Sequence, residues 1–560
     1  MLISDYQLTQ LIFQEELADE KEVAKVVDFA KKSNTSLYDA LVEKGLVSDE
    51  KLGQLIARYL NLPFIRLTNL SIADDIFSII PERVARKQKI IPFARDESGI
   101  KLAVFDPENK VALEMISKKT DQPVYPNLAT VRDIYNTLHI YKKDIQKAIE
   151  ELLNREIRLS TDMTISDAPI SKIVDLIIDY AYQYKASDIH IEPQEKSTLV
   201  RFRIDGILHD VLYLPKHLHD RIITRLKVLA RLRTDEHLAP QDGKIRVNLD
   251  EEVLDLRVSF LPIADGEKAV LRLLSSRTGL LTLADLGMNE SDLSTVTRAM
   301  HKSFGMILST GPTGSGKTTT IYAILKILHT REKNITTIED PVEYRIAGVN
   351  QIQENTKTGL TFAQGLRSIL RQDPNIIFVG EIRDGETAGI AVNAALTGHL
   401  VLSTLHTNDA ATALPRLTDM KVEPFLVAST VNIIIAQRLI RRLCDSCKFP
   451  VQLPSAELAL EIPMAAIRKH FGTESELTCF RGKGCTRCHT TGFSGRIGIF
   501  EVLEVTSDLR KLITARADSD SIEKAAISQG MTTLLDDGLD KVKKGLTTLE
   551  EVLTKSKYDA

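Results

Sequence analysis

The chain has 560 residues, of which 26% are charged and 43% hydrophobic, and a formal net charge of −4. A near-neutral balance with no long basic tail argues against a nucleic-acid motor. No apolar run approaches the ~20 residues that cross a bilayer, and residues 1–20 carry acids and polar groups throughout, unlike a signal peptide. A cytosolic protein of three or four domains is expected, with any membrane work passing through a partner.

The first third holds a degenerate repeat. Aligning 7–30 with 36–59, an offset of 29, pairs Leu8 with Leu37, Ile12 with Leu41, Leu17 with Leu46, Val23 with Leu52 and Val26 with Leu55. Each copy predicts a short helix, a turn, an N-cap (Asp19 or Ser48) and a second helix. Residues 60–140, with Pro81, Pro92, Pro107, Pro123 and Pro126 among short strands and helices, predict a second lobe. Residues 1–142 are therefore expected to form an N-terminal docking domain. The charged segment 143–168 reads as a helical linker ending in a flexible joint.

Alternating segments at 198–206 and 254–260 predict antiparallel strands within 169–278, beside helices at about 169–185 and 216–232. This is a smaller α/β domain. Arg203, Arg257 and Arg272 lie in this domain; surface ion pairing on strands is the bland reading of all three and the favoured one for Arg203 alone.

Residues 279–560 carry the chemistry. Gly311, Pro312, Thr313, Gly314, Ser315, Gly316, Lys317 and Thr318 form the pattern G-x-x-x-x-G-K-T, followed by Thr319. An apolar strand at 306–310 precedes it and a helix at 319–328 follows, the context a P-loop requires. Glycines let backbone N–H groups close on a phosphate, and the helix N-terminus favours an anion. Lys317 is expected to reach the β/γ-phosphates of ATP, and the Thr318 hydroxyl to ligate Mg²⁺.

Three further predicted strands, 334–338, 375–379 and 399–404, run into Glu339 to Glu343, Glu381 and His406. In a parallel sheet the ligand lies beyond the carboxyl ends of the strands, so these groups should meet at the phosphates. Glu381 is placed for the magnesium ion. Glu343 is the first choice for orienting the attacking water and Glu339 the second. His406 would sense the γ-phosphate. Taken singly, each is more simply a surface carboxylate or a hydrogen-bonded histidine; their order after a P-loop points to hydrolysis. Arg367 and Arg371 are predicted four apart on one helix face, aimed at the same place.

Cys444-x-x-Cys447 and Cys485-x-x-Cys488, with 37 residues between them, are two knuckle-like pairs. Four thiolates so spaced predict a closed structural zinc site at the base of a sub-domain spanning 440–492. Cys479 is a spare thiol. The cluster Arg438, Arg441 and Arg442 reads as a solvated helix face.

The boxes GPTGSGKTTT (311–320), IEDPVEY (338–344), VGEIRD (379–384) and TGHLVLSTLHTND (397–409) together resemble the ATPases of type II secretion and type IV pilus assembly. The likeness continues through SDIHIEP (187–193), PQDG (240–243), RSILRQDP (367–374) and AQRL (436–439), and spans 165–555. It implies a RecA-like P-loop ATPase domain preceded by a smaller PAS-like α/β domain and a helical, mixed N-terminal docking domain. It also implies a homo-hexamer in which the smaller domain sits against a neighbour's ATPase domain, with Arg257 and Arg272 matching arginines that reach nucleotide phosphates. Arg203 is a weaker candidate. An inner-membrane platform protein and a membrane-anchored adaptor are the implied partners.

Extension of a pilus is the favoured role, with pseudopilus assembly in type II secretion as the alternative. A RecA-like nucleic-acid translocase and an ATP-binding scaffold without turnover are the competing classes. The repeat at 7–59 resembles a tandem motif that binds cyclic-di-GMP in some of these ATPases. Its binding form begins Arg-Leu-Gly and has a glycine before the second helix. Here Gln7-Leu8-Thr9 and Ser36-Leu37-Tyr38 replace the former, and only Gly45 keeps the latter. A kept fold with a docking role follows, cyclic-di-GMP being the alternative.

Overall fold

The computed structural model describes residues 3–556 except 16, 34, 68, 69, 71, 73, 78, 138–150, 152–169, 250–252, 275–280, 460, 461, 474, 475, 486, 487, 489 and 490. The predicted linker at 143–168, residue 151 apart, and part of the predicted joint near 275–290 thus lie outside the described residues. The chain divides into two units, 57–277 and the combination of 1–56 with 278–560.

In the second of these, short runs of β-branched and aliphatic residues build a seven-stranded sheet. Its strands are β10 (Gly305–Thr310), β11 (Ile335–Glu339), β12 (Asn350–Gln353), β13 (Ile376–Val379), β14 (Leu400–Leu405), β15 (Val431–Leu443) and β18 (Phe493–Glu504). They lie in the order β12-β11-β13-β14-β10-β15-β18, all parallel except β18 against β15. Met306, Leu308, Ile377, Val379, Val401, Ile434 and Ala436 pack into one buried layer, and Ile307, Phe378, Leu400, Leu402, Ile433 and Ile435 into the other. Both faces are covered, so these strands read as unbroken apolar runs. In-register pairing (Ile335 with Ile376, Ile376 with Leu400, Gly305 with Leu400) brings the carboxyl ends of β10, β11, β13 and β14 level.

A two-stranded excursion, β16 (Lys448–Pro454) with β17 (Glu476–Gly482), leaves the sheet between β15 and β18. Arg438, Arg441 and Arg442 lie on β15, correcting the helix-face reading. Thirteen residues of β15 rich in Ile, Val and Leu pair along their length with β10 or β18, and that ladder overrides the weak helical pattern.

Residues 1–56 fold as helices Asp5–Gln14, Glu20–Ser33 and Leu37–Glu43 and most of Asp49–Tyr59. Ser4 and Ser36 cap the first and third by accepting from Gln7 N and Asp39 N. This bundle meets the end of the helix that follows the P-loop. Lys44 Nζ donates to the carbonyls of Lys326 and His329 at 2.8 and 2.7 Å, a cation at the negative end of a helix.

The unit 57–277 carries two sheets. β1 (Ile90–Asp96), β2 (Gly99–Val104) and β3 (Val124–Leu128) form the first, antiparallel then parallel. The second is antiparallel and six-stranded, in the order β6-β5-β4-β9-β8-β7. Its strands are β4 (Asp188–Pro193), β5 (Ser197–Ile204), β6 (Ile207–Pro215), β7 (Gln241–Asn248), β8 (Val253–Ile263) and β9 (Gly266–Leu274). Helices Ile170–Gln183 and His219–Leu229 share a core with one of its faces, which supplies Ile189, Phe202, Leu256, Val258 and Leu271. The alternating residues form the other face. Among the described residues no helix is long and apolar enough to cross a membrane.

Candidate nucleotide site and tetracysteine cluster

The P-loop joins β10 to the helix Lys317–Leu328. Gly311, Gly314 and Gly316 hold φ of +143°, +79° and +93°, values an L side chain rarely adopts. A Cβ on Gly311 would meet Ser315 Oγ and Gln437 O at 2.6 Å, whereas one on Gly314 would meet nothing within 4 Å. The loop is therefore packed tightly underneath and open above. Pro312, Thr313 and Gly314 form the exposed rim, with Thr318 and Thr319 half-buried on the first turn of the helix.

Lys317 Nζ bonds to Gly311 O at 2.7 Å and Pro312 O at 3.1 Å across the mouth. Burial lowers its pKa to about 8, against the opposing pull of Glu381. Ser315 Oγ is buried with no hydrogen-bond partner. A cradle closed below by glycines, lined by a lysine and holding an unmatched hydroxyl fits a phosphate chain with its magnesium ion.

At the neighbouring strand ends, Glu381 Oε2 lies 2.9 Å from His406 Nε2. Arg383 pairs with the other oxygen of Glu381 and reaches Asp340 at 3.3 Å. The loop after His406 is tied down at Asn408, Asp409 and Ala410, the second by Thr310 Oγ1, which donates to Asp409 O at 3.3 Å. Arg438 Nη2 donates to Asn408 O at 2.7 Å, and Ala410 N donates to Glu501 Oε1 at 2.9 Å.

The two candidate water-orienting carboxylates differ. Glu339 is buried and accepts from Tyr322 Oη, Thr337 Oγ1 and, at 3.2 Å, Gln351 Nε2. Burial raises its pKa. With its oxygens so engaged, Glu339 is a structural node under the site. Glu343 is only half-buried, and its N–H donates to Tyr322 Oη at 3.4 Å.

Arg367 and Arg371 do not share a helix face. The helix spans Phe362–Ile369, and Arg371 lies beyond its cap, bonded back to Arg367 O at 3.0 Å. Arg367 pairs with Glu386 at 2.6 Å. Pro374 disfavours helical backbone at the residue before it, and Asp373 takes φ +49°.

In the other unit, pairing across five adjacent strands sets Arg203, Asp188, Arg272, Arg257 and Lys244 in one row on the sheet face away from the helices. Arg272 Nε donates to Asp188 Oδ1 at 2.9 Å, and Arg203 Nε lies 3.6 Å from Asp188 Oδ2. Asp188 thus meets two of the row's four cations. Arg272 keeps 60% of its side chain exposed.

Cys444, Cys447, Cys485 and Cys488 converge with their sulfurs within 4.8 Å of one another. The separations Cys444–Cys485 and Cys447–Cys488 are 3.8 Å, and Cys485–Cys488 is 3.7 Å. A tetrahedron with metal–sulfur bonds of ~2.3 Å has edges of about 3.8 Å. The N–H groups of Cys485 and Gly492 point at Cys488 Sγ, each at 3.2 Å. The donor set fits zinc. It sits where β15 leaves for the β16/β17 excursion and where the chain returns to β18. Cys479 is buried on β17.

Sequence reasoning missed Tyr322, Arg383 and Gln437. Tyr322 and Gln437 are single polar groups inside otherwise apolar runs, a signal open to reading. Arg383 stands two residues after Glu381 within a motif already singled out.

Residues 164–554 match the type II/IV secretion system protein family, and residues 60–145 match the MshEN domain. The type IV pilus assembly ATPase PilB of Myxococcus xanthus is 38% identical over 98% of both chains. The type II secretion system protein E of Pseudomonas aeruginosa is 47% identical over 69% of this chain and 75% of its own. Among solved structures, the Legionella pneumophila ATPase DotB matches 68% of this chain and 94% of its own, with a TM-score of 0.50 at 20% identity. That likeness concerns the fold alone.

Proposed function

We propose that this chain, which belongs to the type II/IV secretion system protein family and is an ATP hydrolase, powers type IV pilus extension. In this reading it works in the cytoplasm as a hexamer and drives pilin polymerisation through an inner-membrane platform protein. The observation that carries the reading is the meeting of Glu381 with His406 at 2.9 Å, beside a P-loop whose Lys317 feels the Glu381 charge.

The chemistry follows from the residues. Gly311 to Thr319 cradle the phosphates, and Thr318 with Glu381 holds the magnesium ion, which supplies charge neutralisation on the β- and γ-phosphates when bound. Glu343 orients the attacking water, since its carboxylate is less enclosed than that of Glu339. His406 reads the state of the site through Glu381. Arg257 and Arg272, with Arg203 at the row's end, reach the phosphates bound by the next subunit. Heterologous contacts that close into a ring allow such shared sites, and a guanidinium fork suits spread phosphate charge. ATP binding then clamps neighbouring subunits, and hydrolysis reopens them in sequence. Zinc at the four cysteines staples the base of the β16/β17 excursion. The N-terminal helices dock a membrane-anchored partner, with cyclic-di-GMP as an alternative ligand.

Pseudopilus assembly in type II secretion is the second reading, favoured by the higher identity of the secretion relative over the motor region. Deletion of the gene separates the two: loss of surface pili supports the first, and loss of exoprotein release with pili intact supports the second. Hydrolysis by the purified chain should rise with protein concentration and ignore single-stranded DNA. DNA-stimulated, concentration-independent turnover would replace the motor with a nucleic-acid translocase.

A further inference from the structure

The floor of the P-loop is made by a residue of the AQRL segment to which no role has been given above. Gln437, on β15, is 2% exposed. Its Nε2 donates to Ser315 O at 2.7 Å, and its Oε1 lies 3.4 Å from Ser309 Oγ on β10. With both ends of the amide engaged, the side chain has one orientation. The loop rests on it at two points. A Cβ on Gly311, at the start of the loop, would meet Gln437 O at 2.6 Å. A Cβ on Gly316, at its end, would meet Gln437 Nε2 at 2.8 Å. Neither position has room for a side chain: the Gln437 carbonyl and Ser315 Oγ close the first, and the Gln437 amide closes the second.

A planar trans peptide points its C=O and the next N–H in opposite directions. Holding Ser315 O down onto Gln437 therefore turns the Gly316 N–H up, away from the floor and into the cradle. Backbone N–H groups at the head of a helix are what an anionic phosphate binds. The next residue of β15, Arg438, donates to Asn408 O at 2.7 Å in the loop that follows His406. One strand thus braces both loops.

We propose that Gln437 is a positioning residue for nucleotide: it fixes the Ser315–Gly316 peptide so that the P-loop presents its N–H donors to the phosphates before nucleotide arrives. The inference rests on residues 311–319 being the nucleotide site. It assigns Gln437 no contact with substrate. Without the amide donor, Ser315 O loses a buried partner and the peptide is free to turn, so phosphate binding weakens while the residues that act on the bound phosphate stay in place.

The test uses the full chain. Gln437→Met keeps the length and removes the donor; Gln437→Glu keeps the length and an acceptor and also removes the donor. Lys317→Ala serves as the reference for the site itself. Binding of a fluorescent ADP analogue with Mg²⁺, KM and kcat for ATP, and thermal melting without nucleotide are measured for each. For Gln437→Met the expected result is about tenfold weaker analogue binding and a similar rise in KM, the equivalent of one buried hydrogen bond. kcat should change far less and the melting temperature little. Parent-like KM and binding in folded Gln437→Met would overturn the proposal, as would an unchanged KM with a lowered kcat, the mark of a merely structural role. If Gln437→Met does not fold, Gln437→Glu is read by the same criteria, and parent-like KM there overturns it equally. Parent-like binding by Lys317→Ala would instead remove the P-loop assignment, a distinguishable failure.

Discussion

The two units deliver their charged groups in different ways. In the parallel sheet, functional side chains stand at strand ends, each close behind the apolar run that positions it, as with Glu339 after β11, Glu381 after β13 and His406 after β14. Most are held before any ligand arrives: Lys317 by two carbonyls, Glu381 by His406 and Arg383, Glu339 by three donors. In the antiparallel sheet, the cations stand mid-strand and line up only because pairing registers five strands. One carboxylate, Asp188, anchors that row, and Arg272 stays largely exposed. The first arrangement is a preorganised pocket. The second is a half-exposed row of the kind the proposed contact with a neighbouring subunit requires. In a motor that shares its site between subunits, one half must be built and the other must be able to leave.

Mutations separate the halves by the size of their effects. Lys317→Ala should abolish hydrolysis, because the lysine is part of the cradle itself; turnover near parental levels would break the assignment. Glu343→Gln should leave ATP binding intact and slow hydrolysis by about 10³-fold, the range of a positioned general base. Equal loss in Glu339→Gln but not in Glu343→Gln would transfer the role to the buried carboxylate. Arg272→Ala should lower kcat by about 10²-fold, as for removal of one donor to developing charge, with little effect on the melting of the isolated subunit. A large drop in melting temperature would mark the row as structural.

Two smaller effects concern stability. Chelation of metal should expose 444–492 to protease while the P-loop sheet remains folded; metal analysis finding no zinc in folded protein would remove that site. Asp292 is buried beside Asp537 and Lys541, and burial followed by the Asp537 charge raises its pKa to about 7 from 3.8. Its native state therefore holds a proton that the unfolded chain releases. That stabilisation is complete below about pH 4 and is lost as pH rises through about 7. Asp292→Asn keeps an acceptor for Asn289 Nδ2, which bonds Asp292 at 2.7 Å. Its melting midpoint relative to the parent should rise between about pH 5.5 and pH 8.5. A pH-independent difference would show that Asp292 ionises normally.

Much of this was legible in the sequence, and the reason is local. The P-loop, the strands before Glu381 and His406 and the two cysteine pairs are contiguous signals in which a few neighbouring residues set both geometry and chemistry. Arg371 failed because the helix ends at Ile369, two residues short of it. The β15 arginines failed because a short basic run carries no period strong enough to distinguish strand from helix. The row Arg203–Asp188–Arg272–Arg257–Lys244 draws on residues up to 84 apart in sequence, and only register brings them together. Gln437 was visible as part of a motif, but its task depends on a parallel neighbour, β10, more than a hundred residues earlier.

The central claim is that hydrolysis needs the P-loop of one subunit and the arginine row of another. Mixing the two inactive variants tests it directly. In a ring assembled from Lys317→Ala and Arg272→Ala subunits, every junction that pairs an intact P-loop with an intact arginine row is parental. ATP hydrolysis should therefore reappear on mixing, greatest near equal proportions. Activity that stays at the level of the separate variants, in rings shown to contain both, would contradict a shared site and place the arginines and the P-loop of each site within one chain.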